Sequence, residues 1–436
     1  MYVSTPAAPV AAIAIPIVCI ALSLEFVFSG TFGTTASEFV IYSLAVYFIL
    51  TQGLRLNVAQ MILALCAVAG LLSAAVYNFS SAYGPYLKTI INFGVGILVF
   101  QQLSATEEYR RRLLFCLAVC GVILAAYGIC QALGGIGPLP DIYTVGGAPS
   151  TDQTGRRKLL EVMAWKADGI ASTLGVGISS LAYGFHWYSN NYAEYLVFSS
   201  IAVWLAFPPE KRPVVWCASQ ALILSAIVLS AGRTSVLGYG LVTAIFLLRY
   251  IWRYRWLAVL FGTLVAAALL PLVGVAAEAL LFDGGGTIGG RSALNSHAWD
   301  MVTETWTTIF VGADAEKYLT SSISNVHSTF LYYWLFGGVG VAIATYAIIW
   351  SWWGSVALRF SVTHDPLHLG AFAAISWLLC YGLTWVVVTA PNSIFIVCMF
   401  VCLSASALEG HHGRRRREAV SDAAPVAADA SGLSVQ

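Results

Sequence analysis

The chain has 436 residues, of which 59% are hydrophobic and 10% charged, with a formal net charge of +1 and a mean hydropathy of +0.79. That composition excludes an ordinary water-soluble domain. The near-neutral charge also excludes a nucleic-acid binder, which needs a basic patch to neutralise phosphates.

Crossing about 30 Å of hydrocarbon takes roughly 20 mostly apolar residues per helix. Twelve stretches qualify, near 9–28, 38–53, 59–77, 87–104, 113–133, 191–207, 214–230, 235–249, 257–276, 328–351, 367–388 and 393–408. Backbone groups in lipid must be satisfied within the segment, so all twelve are expected to be helices. The sequence therefore predicts an all-α polytopic membrane protein of about 12 transmembrane helices. The N-terminal stretch lacks a basic leader region and is taken as the first span, not a cleaved signal.

Lys and Arg set the orientation. Alternate connections collect Arg55, Arg110 to Arg112, Lys211, Arg212, Arg249, Arg253, Arg255, Arg359 and Arg414 to Arg417, which is 14 of the 22. Both termini are then expected in the cytoplasm, and the two long loops, about 134–190 and 277–327, face outward. Residues 1–408 form the expected transmembrane domain. Residues 409–436, a basic cluster followed by small residues, read as a disordered cytoplasmic tail whose arginines meet the membrane surface or a docking partner.

All nine cysteines lie in apolar runs, so they read as small packed residues without a disulfide framework. Cys116 and Cys120, one helical turn apart, have no accompanying His or carboxylate and read as packed residues, not a ligand pair. Nothing calls for a metal or a cofactor.

The eight remaining cations face outward, against the charge rule, and some need a reason. Arg156, Arg157 and Lys158 lie among Leu159, Leu160, Val162, Met163 and Trp165, as in an interfacial amphipathic helix or an acceptor-binding segment. Arg233 sits in the short turn Ser230 to Ser235, near the outer boundary, where a charge is costly unless it is used. Its guanidinium suits a phosphate, and Thr234 and Ser235 are expected to cap the next helix, whose free N–H groups would add to an anion site. A structural cap role for Arg233 is the alternative. Arg291 follows the run GGGTIGG, flexible enough to fold over a ligand. His327 opens the tenth span and, mostly neutral at pH 7, can accept a proton or simply cap the helix. His297 is either a loop histidine or a contributor to the same site.

Arg291, Trp299, Gly312-Ala313-Asp314 and His327-Ser328 with Gly337 and Gly340 resemble the superfamily of O-antigen ligases, O-antigen polymerases and O-linked oligosaccharyltransferases. The Ser-x-x-Arg-Thr turn at Ser230 to Thr234, and Asn190-Asn191-Tyr-Ala193-Glu194 opening a span, are similar to further elements of that superfamily. Lys166-Ala-Asp168-Gly169 is similar to a basic-x-x-Gly element, with Lys in place of the expected Arg. Eight residues separate Ser328 from Gly337 where the pattern has about nine.

The resemblance implies a GT-C-type, metal-independent, inverting glycosyltransferase. It implies a donor glycan on undecaprenyl diphosphate, and for the ligase branch a lipid A-core acceptor at the periplasmic face of a bacterial inner membrane. It implies His327 as base, Arg233 and Arg291 on the diphosphate, and Asn191, Glu194, His297, Trp299 and Lys166 in support. A polymerase of the same superfamily is the nearest alternative. A transporter, which would carry ionisable residues in mid-span, is the reading from another class.

Overall fold

Local chemistry sets several helix starts. Thr35 and Glu38 form a reciprocal capping box at one start, Asn57 and Gln60 form another, and each satisfies backbone N–H groups that a helix leaves orphaned. The computed structural model describes residues 8–24, 27–28, 34–54, 56–77, 83–134, 181–182, 184–186, 189–230, 232–251, 288–314, 317–318, 328–384 and 392–408.

Helix accounts for 88% of the described residues. The helices are α1 (Ala8–Ser23), α2 (Ala36–Gln52), α3 (Val58–Val76), α4 (Tyr83–Leu103), α5 (Glu107–Gly134), α6 (Ser189–Ala206), α7 (Pro213–Leu229) and α8 (Arg233–Ile251). They continue with α9 (Ile288–Thr303), α10 (Trp306–Val311), α11 (Thr329–Thr363), α12 (Pro366–Thr384) and α13 (Asn392–Leu408). Two-residue strands β1 (Val27–Phe28) and β2 (Thr34–Thr35) pair antiparallel between α1 and α2.

Four helices, α3, α4, α5 and α11, are long and apolar enough to cross a membrane, and several shorter apolar helices accompany them. Apolar side chains recur on the outside, as at Met61, Leu65, Val68, Leu72 and Val76 along α3. An outward apolar stripe at helical spacing marks a lipid-facing surface, and the protein is membrane-embedded and all-α. Eleven of the twelve expected spans fall on described helices; the ninth, 257–276, lies outside the described residues, as does 409–436.

α6 and α13 form the centre. Every residue from 191 to 204 is buried, and so is every residue from 392 to 400. A helix apolar on all sides needs protein neighbours on all sides, and α6 has α5, α7, α8 and α12 around it.

Helix ends meet in two sets. On one side Ser104 Oγ, just past α4, lies 2.9 Å from Ser406 Oγ of α13, and His368 Nδ1 of α12 lies 2.7 Å from Ser404 Oγ. On the other side, which bears the long connections, Gln131 at the end of α5 exchanges two hydrogen bonds with Gly184, at 3.0 and 2.8 Å. There too Ala182 N donates to Leu229 O of α7 at 3.0 Å.

The long-loop side also holds an ion pair that explains one cation the charge rule leaves over. Glu38, fully buried, takes Lys88 Nζ at 2.6 Å, Asn92 Nδ2 at 2.8 Å and the Thr35 N–H at 2.8 Å. Tyr42 donates to Asn92 Oδ1 at 2.5 Å, and Ser37 donates to Asn392 Oδ1. These bonds tie the ends of α2, α4 and α13 together. The cysteines depart from the uniform packed reading, since Cys130, Cys217 and Cys380 are exposed while Cys19, Cys66, Cys398 and Cys402 are buried. A thiol is apolar enough to face lipid as readily as protein.

Candidate functional site

Two groups of residues gather on the long-loop side, one at the start of α6 and α8 and one around α9, α10 and the start of α11. In the first, Asn191 and Glu194 lie in the opening turns of α6 and are 6% and 1% exposed. A carboxylate so far from water is costly unless it is paired. Gly232, just before Arg233, packs so closely on α6 that a Cβ there would stand 2.9 Å from Ala193 Cβ. The backbone of Arg233 therefore begins α8 beside the turn bearing Asn191 and Glu194.

α8 starts at Arg233 itself, so Thr234 and Ser235 lie inside the first turn and do not cap it as expected. Ser230 is occupied differently: its hydroxyl donates to Ile227 O at 2.6 Å and accepts from Gly232 N at 3.2 Å, closing the turn early and letting the helix begin sooner.

His186 joins this group and was not singled out in the sequence. It is 3% exposed, with its ring 5.8 Å from Tyr192 and 5.5 Å from Tyr195. Neither ring nitrogen has a hydrogen-bond partner among the described residues, and burial pushes its pKa down to about 3. It is a neutral imidazole at any physiological pH. Its ring contacts come from Tyr192 and Tyr195 of the following helix, and nothing in residue type or spacing marks it as buried.

The second group is built on a break. α11 carries a non-helical residue, Gly338, with φ 82° and ψ 169°. Val339 to Thr363 alone rises about 37 Å, enough to cross the hydrocarbon. The crossing part is thus set deeper than the expected 328–351, and Thr329 to Gly337 form an extra arm whose residues from Leu331 onward are all buried.

Into the break fits the end of α10. Ala313 N donates to Leu335 O at 2.9 Å, the carbonyl that residue 339 would use in an unbroken helix. Trp334 Nε1 donates to Ile309 O at 3.0 Å, Tyr77 Oη to Gly312 O at 2.8 Å, and Tyr83 Oη to Ala313 O at 3.2 Å. The Gly312-Ala313 motif is a backbone plug held by α3, α4 and α11.

α9 packs on α11 and bears three expected site residues. Arg291 is its fourth residue, so the glycine run ahead of it is already helical by Ile288. His297 is half-buried in the same helix, not in a loop, with its ring stacked 5.5 Å from Tyr318. Trp299 is 50% exposed and meets Trp334 edge-on at 5.3 Å. Ser328 caps α11 through Leu331 N at 3.5 Å, a weak bond.

α12 stands between the groups. A Cβ on Gly238 of α8 would come 2.2 Å from the Trp377 ring of α12, and one on Gly382 would come 3.3 Å from Thr329 Oγ1. Arg233 is five residues from Gly238, and Gly382 five residues from Trp377, each about 7.5 Å along its helix. The starts of α8 and α11 thus flank α12 at one level. Under Thr329, a cavity of about 20 Å³ bordered by Tyr333, Tyr346, Leu378, Gly382 and Ile394 has room for about one water.

His327 and Lys166 lie outside the described residues, as do the side chains of Arg233 and Arg291. The described structure brings Asn191, Glu194 and the Arg233 backbone together, and separately Arg291, His297 and Trp299 on α9. Compared with known proteins, the chain matches no family model and no curated protein.

Proposed function

We propose that this protein is a metal-independent inverting glycosyltransferase of the GT-C type. It moves O-antigen glycan from undecaprenyl diphosphate to a lipid A-core hydroxyl at the periplasmic face of a bacterial inner membrane. The observation that carries the reading is the common level of the starts of α8 and α11, which bear Arg233 and the residue following His327-Ser328 on either side of α12.

In this mechanism the acceptor hydroxyl oxygen attacks the anomeric carbon while the bond from that carbon to the phosphate oxygen breaks. The bonding pair leaves with the diphosphate, and the hydroxyl proton passes to His327. One displacement inverts the anomeric centre. Arg233 and Arg291 meet the charge that grows on the leaving diphosphate, where paired guanidinium donors are strongest. Asn191, Glu194, His297, Trp299 and Lys166 support the site.

Complementation tests the class of reaction. In a deletion strain the reading expects lipid-linked polymer to accumulate beside bare core, with transfer restored by the chain. A strain making core with a single repeat would identify the polymerase, and glycan-independent uptake into liposomes would identify a transporter. Replacing His327 with Ala is expected to abolish transfer while the protein stays in the membrane; near-normal transfer would remove His327 as the base. Arg233→Lys or Arg291→Lys is expected to impair donor use, since an ammonium makes no bidentate fork.

A further inference from the structure

α10 is pinned on one side and bare on the other. Its inward side holds the bonds from Trp334 to Ile309 O and from Tyr77 to Gly312 O. Its other side shows Trp306, 77% exposed, and Phe310, 63% exposed, stacked with ring centroids 6.1 Å apart and planes 11° from parallel. An element held at Ile309 and at the two residues that follow it, Gly312 and Ala313, does not show two large rings outward by fraying, so the exposure needs an occupant.

We infer that the Trp306–Phe310 face of α10 lies in the interfacial layer of the bilayer on the long-loop side, among lipid headgroups and the first acyl carbons.

Three observations choose lipid over a second copy or a soluble partner. First, depth: a Cβ on Gly312 would stand 3.2 Å from Ser73 Oγ, and Ser73 is one turn from the end of α3, so α10 ends at the level where that span leaves the hydrocarbon. Second, proximity: α10 packs against α3, whose Leu65, Leu72 and Val76 are 68%, 63% and 55% exposed, so the aromatic face belongs to an element seated on a helix with a lipid-facing stripe. Third, polarity: Glu304 and Thr305, at the start of α10, are exposed, and Thr305 forms a capping box with Thr308. The element has a wet end and an apolar face, the arrangement that holds Trp at a membrane boundary. The inference does not rest on the proposed chemistry.

The test uses the full chain in liposomes of phosphatidylethanolamine and phosphatidylglycerol with labelled acyl chains. p-Benzoylphenylalanine is placed singly at Trp306, Phe310, Leu72 and Glu304, and lipid adducts are counted after irradiation. Leu72 is the acyl-chain control and Glu304 the aqueous control. The expected result is lipid adduct at Trp306 and Phe310 on the order of tenfold above Glu304, approaching Leu72. Adduct at the level of Glu304 at both positions, or a covalent dimer in place of lipid adduct, overturns the assignment. Using two positions guards against one replacement disturbing α10.

Discussion

Gly338 and the carbonyl of Phe310 are so close that a Cβ on residue 338 would sit 2.0 Å from that oxygen. The break in α11 and the seat of α10 are therefore one feature. Gly338→Ala meets both a backbone collision and a φ of +82° that side chains resist, and is expected to lower stability by about 2–4 kcal/mol. Gly312→Ala, with φ +102° and Leu335 O 2.6 Å from the added atom, should cost a similar amount. Gly340→Ala meets nothing within 4 Å and should be neutral or stabilising by up to about 1 kcal/mol. Thermal unfolding of the three variants in one detergent checks the order; a Gly340→Ala loss equal to that of Gly338→Ala would contradict it.

The Glu38–Lys88 pair gives a second expectation. Lys88→Met leaves a fully buried carboxylate without its cation, which costs about 3 kcal/mol or more. Adding Glu38→Gln removes the charge and keeps one acceptor oxygen for either Asn92 Nδ2 or the Thr35 N–H, which donate to different oxygens of Glu38, so the double variant should regain part of the loss. A double-mutant cycle on unfolding midpoints measures this, and additive losses would mean the pair does not act as a unit.

Gly238 tests the role of α12 as the wall between the two groups. Gly238→Leu would force its side chain into the Trp377 ring, 2.2 Å from where a Cβ would stand, and push the start of α8 away from α11. Under the proposed function, the expected outcome is normal membrane insertion with glycan transfer reduced roughly 100-fold, since misplacing a binding group by about 1 Å has that effect. Unchanged transfer would disconnect Arg233 from the α11 end.

His186 makes stability depend on pH. Its folded pKa, about 3, lies below the ordinary value near 6.5, so the unfolded chain binds the extra proton between those values. Its contribution is complete above pH 6.5 and is lost as pH falls toward 3, by up to about 1.4 kcal/mol per unit. His186→Phe should flatten that part of the profile, as followed by unfolding midpoints from pH 7 to pH 4. An unaltered slope would mean that the imidazole titrates elsewhere.

The sequence alone determined the membrane class and eleven helices, because an apolar run near 20 residues in lipid has no other way to satisfy its backbone. Asn191, Glu194 and the Gly312-Ala313 motif entered through a resemblance to a known superfamily. Tertiary structure alone decided that Lys88 answers Glu38, that His186 is buried, and that Gly338, not Gly340, breaks the eleventh helix. Each of these depends on how side chains pack in three dimensions or on one backbone torsion, and residue type and spacing along the chain record neither.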